Sequence, residues 1–324
     1  MSAGIPAGES PDPVASGKGG LTSVIIVAAD SGDGLAECVA RSLGSTALVE
    51  VIVADNASRD GSVARVAQLY ARNEQVRILR NEKNLGFGSA CNRAATLARG
   101  DALLFLNPDC LIETDTIARL RAIATGDAQI GLIGALQLDA HGRVDAASRR
   151  RDPLLRRALL SFSGLARLAS WRPALAGVAM PPLPADSMVA PAATSEVEAV
   201  DAVSGALMCL PRAAFARMRG FDEGYFLHCE DLDLCRRVRD AGLRVVCATG
   251  LRVRHAKGGS SRRRPLFVAW HKHRGMWRWF VKFDPAARNP LLRALVWCGM
   301  WLHFALLIPL YLLRALKARF SSAA

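Results

Sequence analysis

Three residues, Asn107, Pro108 and Asp109, end an apolar stretch of the sequence. The residues before them, at 103–106, read Leu-Leu-Phe-Leu, which predicts a strand buried on both faces. Pro108 explains the end of the strand, because proline has no N–H to donate to the sheet. The oxygens of Asn107 and Asp109, two residues apart, suit Mg²⁺ or Mn²⁺ when further oxygens complete the site. The same triplet is common in ordinary turns, so both interpretations stay open at this point.

A second candidate is the pair Glu230 and Asp231, which opens a segment with helical spacing that ends near Gly242. Acidic residues at the start of this helix and arginines further along complement the helix dipole. Asp233 has a structural explanation, since it can pair with an arginine three or four residues later. That explanation does not extend to two neighbouring carboxylates in the first turn. Glu230 and Asp231 therefore stay candidate site residues.

The first half of the chain predicts the scaffold that positions these residues. Apolar runs at 21–30, 49–58, 76–81, 101–109 and 130–139 alternate with segments of helical spacing. The alternation predicts an α/β fold in which a mostly parallel sheet is flanked by helices. In such sheets ligands bind outside the carboxyl ends of the strands. The polar residues at these ends are Asp30, Asp55, Asn56, Asn107 and Asp109.

The charge of the chain favours a polyanionic partner, since 42 Lys and Arg against 29 Asp and Glu give a net charge of +13. Ten of the basic residues lie between Arg252 and Lys282, where aromatic residues are interleaved and no acidic residue occurs. An apolar run at 294–313 follows, about long enough to cross a bilayer. This order is typical of the cytoplasmic face of a membrane. We therefore predict the cytoplasmic face of the inner membrane and no nucleic acid; a helix buried on the core is the alternative.

Several other classes of site lack their sequence signatures. Two Gly-x-Gly pairs begin at Gly32 and Gly86, but Glu37 and Cys91 stand where a dinucleotide-binding fingerprint needs a small residue. The sequence contains neither a P-loop nor the G-x-S-x-G elbow of serine hydrolases. The eight cysteines include no C-x-x-C pair, which indicates reduced thiols of a cytosolic domain.

The composition also predicts how the chain is divided. Residues 1–20 lack an apolar signal-peptide core and read as a disordered tail. The α/β domain is expected at 21–260, and within it 148–199 reads as a variable insertion rich in Ala, Pro, Arg and Leu. Residues 261–324 are expected to form a basic, aromatic and apolar helical region associated with the membrane.

Seven short motifs occur in a fixed order: SVIIVAAD, VIVADNASRDGS, NEKNLGFGSACNRA, FLNPD, VSGALMCLPRAAF, GFDEGYFLHCEDLDLCRRVRDAG and VRH. Together they resemble the family 2 glycosyltransferases with a GT-A fold, especially the bacterial rhamnosyltransferase-like branch. The resemblance covers about 21–255. It implies an inverting enzyme that uses Mg²⁺ or Mn²⁺ to move a sugar from a nucleotide-diphosphate donor. The basic and apolar C-terminal part indicates that the acceptor, a glycan or a polyprenyl-diphosphate-linked glycan of the cell envelope, lies at the membrane.

The resemblance also implies roles for individual residues. Asp231 matches the catalytic base, and Glu230 matches a residue that holds acceptor hydroxyls. Asp109 matches the metal ligand of a variant D-x-D motif, and His255 matches a histidine that completes the metal site. The positions implied to bind the nucleotide sugar are Asp30, Asp55, Asn56, Asn84, Gly86, Phe87, Gly88 and Asn107.

The first strand departs from the branch, in which it commonly ends in Asn-Tyr-Asn, whereas here it ends in Ala28-Ala29-Asp30. The nucleobase of the donor is therefore open, with Asp30 available to hold a ribose hydroxyl or a base N–H. A sugar nucleotidyltransferase is one alternative, but it should carry a basic glycine-rich loop where residues 29–37 are acidic. An inactive membrane scaffold is the other, and the intact Asp109 and Asp231 argue against it.

Overall fold

The computed structural model describes residues 20–163, 165–168, 176–181, 197–255 and 264–321. Almost all of the tail predicted at 1–20, and part of the insertion predicted at 148–199, lie outside these ranges and stay predictions. The same holds for the basic residues between 256 and 263.

Five strands begin within one residue of the apolar runs predicted at 21–30, 49–58, 76–81, 101–109 and 130–139. The first strand, with the sequence Thr-Ser-Val-Ile-Ile-Val-Ala, is buried along its whole length, as expected of a strand covered on both faces. The strands in the described residues are β1 (Thr22–Ala28), β2 (Leu48–Asp55), β3 (Val76–Arg80), β4 (Ala102–Leu106), β5 (Cys110–Leu111), β6 (Ile130–Leu138), β7 (Val197–Ala199), β8 (Leu207–Pro211) and β9 (Arg244–His255).

Helices alternate with these strands and then end the described chain. The helix predicted from Glu230 to about Gly242 is confirmed: it runs from Glu230 to Asp240, and Gly242 follows it with a φ of +81°. The α-helices in the described residues are α1 (Gly34–Leu43), α2 (Ser62–Leu69), α3 (Phe87–Ala95), α4 (Thr116–Gly126), α5 (Leu155–Phe162), α6 (Arg212–Arg217), α7 (Glu230–Asp240), α8 (Pro265–Phe283) and α9 (Pro290–Ser321).

The nine strands of the described residues form one mixed sheet in the order β3-β2-β1-β4-β8-β6-β9-β5, with β7 paired to β9. The neighbours in β3-β2-β1-β4 are parallel, as the alternation of strands and helices predicts. The second half adds antiparallel pairs, because β8 runs against both β4 and β6, while β6 and β9 are parallel. The carboxyl ends of β1, β2 and β4 therefore meet at one edge of the sheet.

Helices cover both faces of the sheet and enclose two apolar layers. Alternate residues of β1 enter different layers: Ile25 packs in one, and Val24 and Ile26 pack in the other. Helices α3, α6, α7 and α8 contribute side chains to the first layer, and α1, α2 and α4 contribute to the second. This three-layer arrangement is the predicted α/β fold.

Helices α8 and α9 form a hairpin against the first layer. Helix α8 is anchored by Trp279, which is fully buried, and by Phe280. Helix α9 packs on α8 through ring contacts, such as that of Trp270 with Trp301 at 4.7 Å between centroids. Among the described residues, one stretch, Pro290–Leu313, is long and apolar enough to cross a membrane, and few of its residues are buried.

Candidate active site

A cleft of about 700 Å³ opens at the carboxyl ends of β1, β2 and β4. Two of the predicted donor residues lie behind its surface: Asp55 accepts a hydrogen bond from the Ser58 N–H at 2.8 Å, and Gly88 packs against Phe221. Of the predicted site residues, the cleft is lined by Asp30, Asn56, Asn84, Gly86, Phe87, Asn107 and Asp109. The structure therefore brings together residues that are up to 79 positions apart in the sequence.

Amide side chains fix one wall of the cleft. The Asn56 Nδ2 donates to the Gly86 carbonyl oxygen at 3.0 Å, and the Asn56 Oδ1 accepts from the Asn81 Nδ2 at 2.8 Å. The Asn84 Oδ1 accepts from the Gly86 N–H at 2.9 Å. These contacts hold the loop in front of α3, so Asn56 and Asn84 shape the cleft through Gly86.

Gly86 allows two loops to approach each other across the cleft. Its φ is +84°, and a Cβ at this position would lie 2.4 Å from the carbonyl oxygen of Phe226. That same oxygen accepts a hydrogen bond from the Phe87 N–H at 3.0 Å. Only glycine combines this backbone conformation with so close an approach. The loop that carries Phe226 and Leu227 is therefore fixed against the loop before α3, and both of these residues line the cleft.

Asp30 joins the loops that follow β1 and β2. Its Oδ1 accepts from the Arg59 N–H at 2.7 Å, and its own N–H donates to the Ser58 Oγ at 3.3 Å. The φ of Asp30 is +51°, a conformation that aspartate adopts more readily than most residues. The side chain thus has a structural role in addition to lining the cleft.

The sheet register brings the predicted metal ligands together. Cys110 in β5 pairs with His255 at the end of β9, so the residue before Cys110 lies beside the histidine. The His255 Nε2 is 3.2 Å from the Asp109 Oδ1 and 3.5 Å from the Asn107 Nδ2. The buried His255 Nδ1 has no hydrogen-bond partner among the described residues.

The separation of Asp109 and His255 suits two neighbouring ligands of one cation. Ligands bound at about 2.1 Å and at right angles lie about 3 Å apart. No group of three or more His, Cys, Asp or Glu that could hold a metal occurs in the described part of the chain. A cation held by Asp109 and His255 would therefore complete its coordination with oxygens of water or of a ligand in the cleft.

Glu230 and Asp231 lie at the start of α7, three to five residues beyond the cleft-lining Phe226 and Leu227. Both are buried, and neither is among the described residues that line the cleft. The Arg150 Nη2 lies 2.5 Å from the Asp231 Oδ2, and the Gly205 N–H donates to the same oxygen at 3.0 Å. The structure places the pair behind the wall of the cleft and in contact with a buried arginine.

The two neighbouring carboxyl groups have opposite pKa shifts. Burial raises the pKa of Glu230, and the charge of Asp231 raises it further, to about 8. Burial acts in the same direction on Asp231, but the charge and hydrogen bond of Arg150 outweigh it and lower the pKa of Asp231. At neutral pH Asp231 is therefore the ionised member of the pair, and Glu230 is mostly protonated.

Three basic side chains that the sequence analysis did not single out also line the cleft: Arg59, Lys83 and Arg264. Arg59 and Lys83 lie within two of the seven sequence motifs. Their position there was the signal that could have identified them as cleft residues. Arg264 is 155 residues beyond Asp109 and adjoins the first turn of α8, and no local pattern links it to the cleft. The three side chains bring positive charge to a cleft whose described lining also holds the carboxylates of Asp30, Glu82 and Asp109.

Arg150 was also missed, because it lies near the start of the stretch interpreted as an insertion. The backbone there is held on the domain, since the Arg150 N–H donates to the Ala202 carbonyl oxygen at 2.9 Å. Its guanidinium reaches the Val203 carbonyl oxygen at 2.6 Å as well as Asp231. Pairing between residues 150 and 231 cannot be read from a local pattern.

Comparisons with known proteins agree with this architecture. The model of Glycosyl transferase family 2 matches residues 23–161. The N-acetylglucosaminyl-diphospho-decaprenol L-rhamnosyltransferase of Mycobacterium tuberculosis is 30% identical over 280 residues, which are 78% of this chain and 85% of the relative. Rhamnosyltransferase WbbL of Escherichia coli is 28% identical over 167 residues, which are 49% of this chain and 56% of the relative.

A solved structure extends the comparison to the whole fold. The mannosyltransferase of Pyrobaculum calidifontis, in complex with GDP-Man and Mn²⁺, superposes with a TM-score of 0.55 at 18% identity, covering 98% of this chain and 79% of that one. This likeness confirms the GT-A type of fold. Together with the M. tuberculosis relative, which this chain matches over most of its length, the comparisons show that the chain belongs to glycosyltransferase family 2.

Proposed function

We propose that this chain is an inverting glycosyltransferase of cell-envelope polysaccharide synthesis that uses a nucleotide-diphosphate sugar. Rhamnose is the first sugar to test, since two relatives are named rhamnosyltransferases. The observation that carries the proposal is one cleft that is lined both by Asp109, which lies beside His255, and by three basic side chains. A carboxylate and imidazole for a cation, together with basic groups for phosphate oxygens, suit a donor diphosphate.

The donor would lie along the carboxyl ends of β1, β2 and β4. Arg59, Lys83 and Arg264 supply positive charge to the diphosphate, and Asp30 offers acceptor oxygens to a ribose hydroxyl or a base N–H. Phe87 and Phe226 add apolar surface to the same cleft. The proposed roles of Asp55 and Gly88 are indirect, because Asp55 fixes a loop and Gly88 packs behind the cleft. Asn56 and Asn84 line the cleft and also fix the loop before α3.

Mg²⁺ or Mn²⁺ would be held by Asp109 and His255, with Asn107 beside them. The fit rests on the 3.2 Å separation of Asp109 Oδ1 and His255 Nε2 and on the orientation of both groups at one sheet edge. Imidazole is a better ligand for Mn²⁺ than for Mg²⁺, so Mn²⁺ is the first ion to test. When bound, the cation would stabilise the negative charge of the departing diphosphate.

Asp231 is the proposed base. Its carboxylate would take the proton of an acceptor hydroxyl as that oxygen bonds to the anomeric carbon and the bond from that carbon to the diphosphate breaks. Arg150 keeps Asp231 ionised at neutral pH but also occupies its Oδ2, so proton transfer to that oxygen requires the guanidinium to move. Glu230, protonated at neutral pH, can donate a hydrogen bond to an acceptor oxygen.

The acceptor is proposed to be lipid-linked and to lie at the cytoplasmic face of the inner membrane. The M. tuberculosis relative has a diphospho-decaprenol acceptor in its name. In this chain, α9 presents a long apolar surface, and the basic helix α8 connects it to the cleft. Helix α8 contributes Phe267 and Val268 to the cleft wall, so donor site and apolar surface lie on the same helical hairpin.

A thermal-shift screen tests the donor site. Uridine, thymidine, guanosine and cytidine diphosphates are added with Mn²⁺, with Mg²⁺ or with a chelator. One nucleotide should raise the unfolding temperature only with a cation, since ligand at about 100 times its Kd adds about 2.7 kcal/mol to the free energy of unfolding. If no nucleotide stabilises the protein with either cation, the donor site is wrongly assigned.

A further inference from the structure

The helical hairpin α8–α9 carries a surface that the catalytic proposal does not use. Five exposed leucines recur at intervals of four, seven, four and seven residues along α9: Leu291, Leu295, Leu302, Leu306 and Leu313. At 100° per residue these positions fall within about 60° of one another around the helix. These five residues, which we call the leucine stripe, therefore form one continuous apolar edge of the helix. Each of them is at least 62% exposed.

The opposite side of α9 is covered by α8. Trp301 and Phe304 of α9 pack against Trp270 of α8, with centroids 4.7 and 5.6 Å apart, and His303 lies 3.2 Å from His273. Arg293 lies over the ring of Trp277 at 6.0 Å. The part of α9 from 293 to 304 is therefore held along α8.

Helix α8 is in turn fixed to the α/β domain. Trp279 is fully buried, and a Cβ on Gly275 would lie 2.7 Å from the His228 carbonyl oxygen. The Lys282 Nζ donates to the Asp233 Oδ2 at 2.5 Å, and Arg278 pairs with Asp222 at 2.8 Å. The first half of α9 is therefore part of a rigid assembly with the domain.

This anchoring bears on how α9 can meet a membrane. After Phe304 only the residues 305–313 precede Arg314, and Lys317 and Arg319 follow. A bilayer crossing needs about 20 predominantly apolar residues. Helix α9 could supply them only if 293–304 left α8, which would expose more of the rings of Trp270 and Trp301. An orientation in the plane of the membrane keeps these contacts and still buries the leucine stripe.

A groove between the two helices adds a site for an anionic group. It has a volume of about 590 Å³ and contains Arg274, whose exposed side chain has no ion pair with a described carboxylate. Arg278 and Lys282 also line it but are paired with Asp222. We call it the tryptophan groove, after the indole rings of Trp270, Trp277, Trp297 and Trp301 that line it. Indole rings favour the headgroup level of a bilayer, and guanidinium binds phosphate well.

We propose that the α8–α9 hairpin lies in the plane of an anionic phospholipid bilayer, with the leucine stripe in the acyl region and a lipid phosphate on Arg274 in the tryptophan groove. The proposal rests on the proposed membrane location and specifies its mode. It places the basic and aromatic side chains of α8 at the headgroups. Because α8 also lines the donor cleft, the cleft would open close to the membrane surface.

Vesicle sedimentation tests the phosphate site with the full-length protein. The protein should bind vesicles of phosphatidylglycerol and phosphatidylcholine more strongly than vesicles of phosphatidylcholine alone. Arg274→Gln should weaken binding to the anionic vesicles by roughly fivefold, the usual effect of one basic residue. Arg72→Gln, at an exposed arginine outside the hairpin, is the matched control and should leave binding unchanged. Equal losses in both variants would overturn the assignment of Arg274, as would full displacement by millimolar inorganic phosphate.

A topology measurement separates the in-plane mode from a crossing. A tag is added at the carboxyl terminus, and inverted membrane vesicles are prepared from bacteria that make the full chain. Protease added outside should remove the tag, because the in-plane helix leaves both of its ends on the cytoplasmic face. A protected tag on a membrane-bound protein would refute the in-plane mode but leave the proposed location intact. Recovery of the protein outside the membrane fraction would refute both.

Cys298 provides an independent readout. It is the one exposed cysteine among the described residues, and its position lies about 20° outside the leucine stripe. A polarity-sensitive fluorophore on Cys298 should shift to shorter wavelength with anionic vesicles and be quenched most by spin labels near the top of the acyl chain. Strongest quenching by labels at the end of the acyl chain would contradict the in-plane mode. A fluorophore already shielded without vesicles would assign the stripe to a protein contact instead.

Discussion

Asp109 and His255 are the residues on which the proposed metal dependence rests. Asp109→Asn keeps the size of the side chain but removes its charge. Substitution of a residue that only hydrogen-bonds to a metal ligand already lowers the affinity by about 10- to 100-fold. The variant should therefore bind nucleoside diphosphate in the presence of Mn²⁺ at least about tenfold more weakly. Titration calorimetry with and without Mn²⁺ measures this, and Asp115→Asn on the exposed start of α4 is the control. Unchanged Mn²⁺-dependent affinity would show that Asp109 is not a ligand.

The raised pKa of Glu230 should make the stability of the protein depend on pH. Its pKa in the folded protein is about 8, above the ordinary value of 4.5, so the folded state keeps a proton that the unfolded state releases between these values. Stability should therefore fall as pH rises from about 4.5 to about 8. The lowered pKa of Asp231 acts in the opposite direction, but only below about pH 4, outside this window.

The variant Glu230→Gln isolates that contribution, since it resembles the protonated side chain and cannot ionise. Urea unfolding of both proteins at pH 5 and pH 8 gives the comparison. The loss of stability between the two pH values should be smaller in the variant than in the wild type. An equal loss in both proteins would mean that Glu230 is ionised in the folded state at pH 8.

The close approach of the two loops at Gly86 and Phe226 should contribute to stability. Gly86→Ala should destabilise the protein by more than the 1–3 kcal/mol typical of a strained backbone residue, because the new Cβ meets the Phe226 carbonyl oxygen as well. Gly61→Ala is the control: its φ is also positive, but nothing lies within 4 Å of its Cβ position. Denaturant unfolding gives both costs. Equal costs would show that the approach of the two loops contributes nothing.

The sequence predicts those parts of the site that depend on strand ends. Asp30, Asn56, Asn107 and Asp109 could be placed together because parallel strands present their carboxyl ends at one edge of the sheet. The contact of Asn56 with Gly86 could not be predicted, since it depends on the path of a loop 30 residues later.

Contacts between distant loops also escaped prediction. Arg150 and Asp231 are 81 residues apart and belong to no common periodic pattern. The sequence also did not show which residues of α8 lie on which face of the helix. Its basic and aromatic residues indicate a membrane surface, but only the packing shows that Phe267 and Val268 face the cleft while Trp270 and Arg274 face α9.

Nucleotide binding by the α/β domain and membrane binding by the hairpin should be separable. A chain ending at Asn289 lacks α9 but keeps α8, which Trp279 and Phe280 anchor in the core. It should bind nucleoside diphosphate as the full chain does and should lose binding to anionic vesicles, because the leucine stripe is gone. Calorimetry and vesicle sedimentation measure the two properties. Loss of nucleotide binding in a folded truncation would mean that α9 supports the cleft.

One assay decides whether this cleft transfers a sugar with inversion. The purified full chain is incubated with Mn²⁺, a series of nucleotide-diphosphate sugars and a polyprenyl-diphosphate-linked N-acetylglucosamine, and the new linkage is identified by NMR. We predict transfer from one donor with the opposite anomeric configuration, and a turnover about 10²- to 10⁴-fold lower in Asp231→Asn at unchanged donor affinity. A product with the configuration of the donor would refute inversion, and full turnover in Asp231→Asn would refute Asp231 as the base.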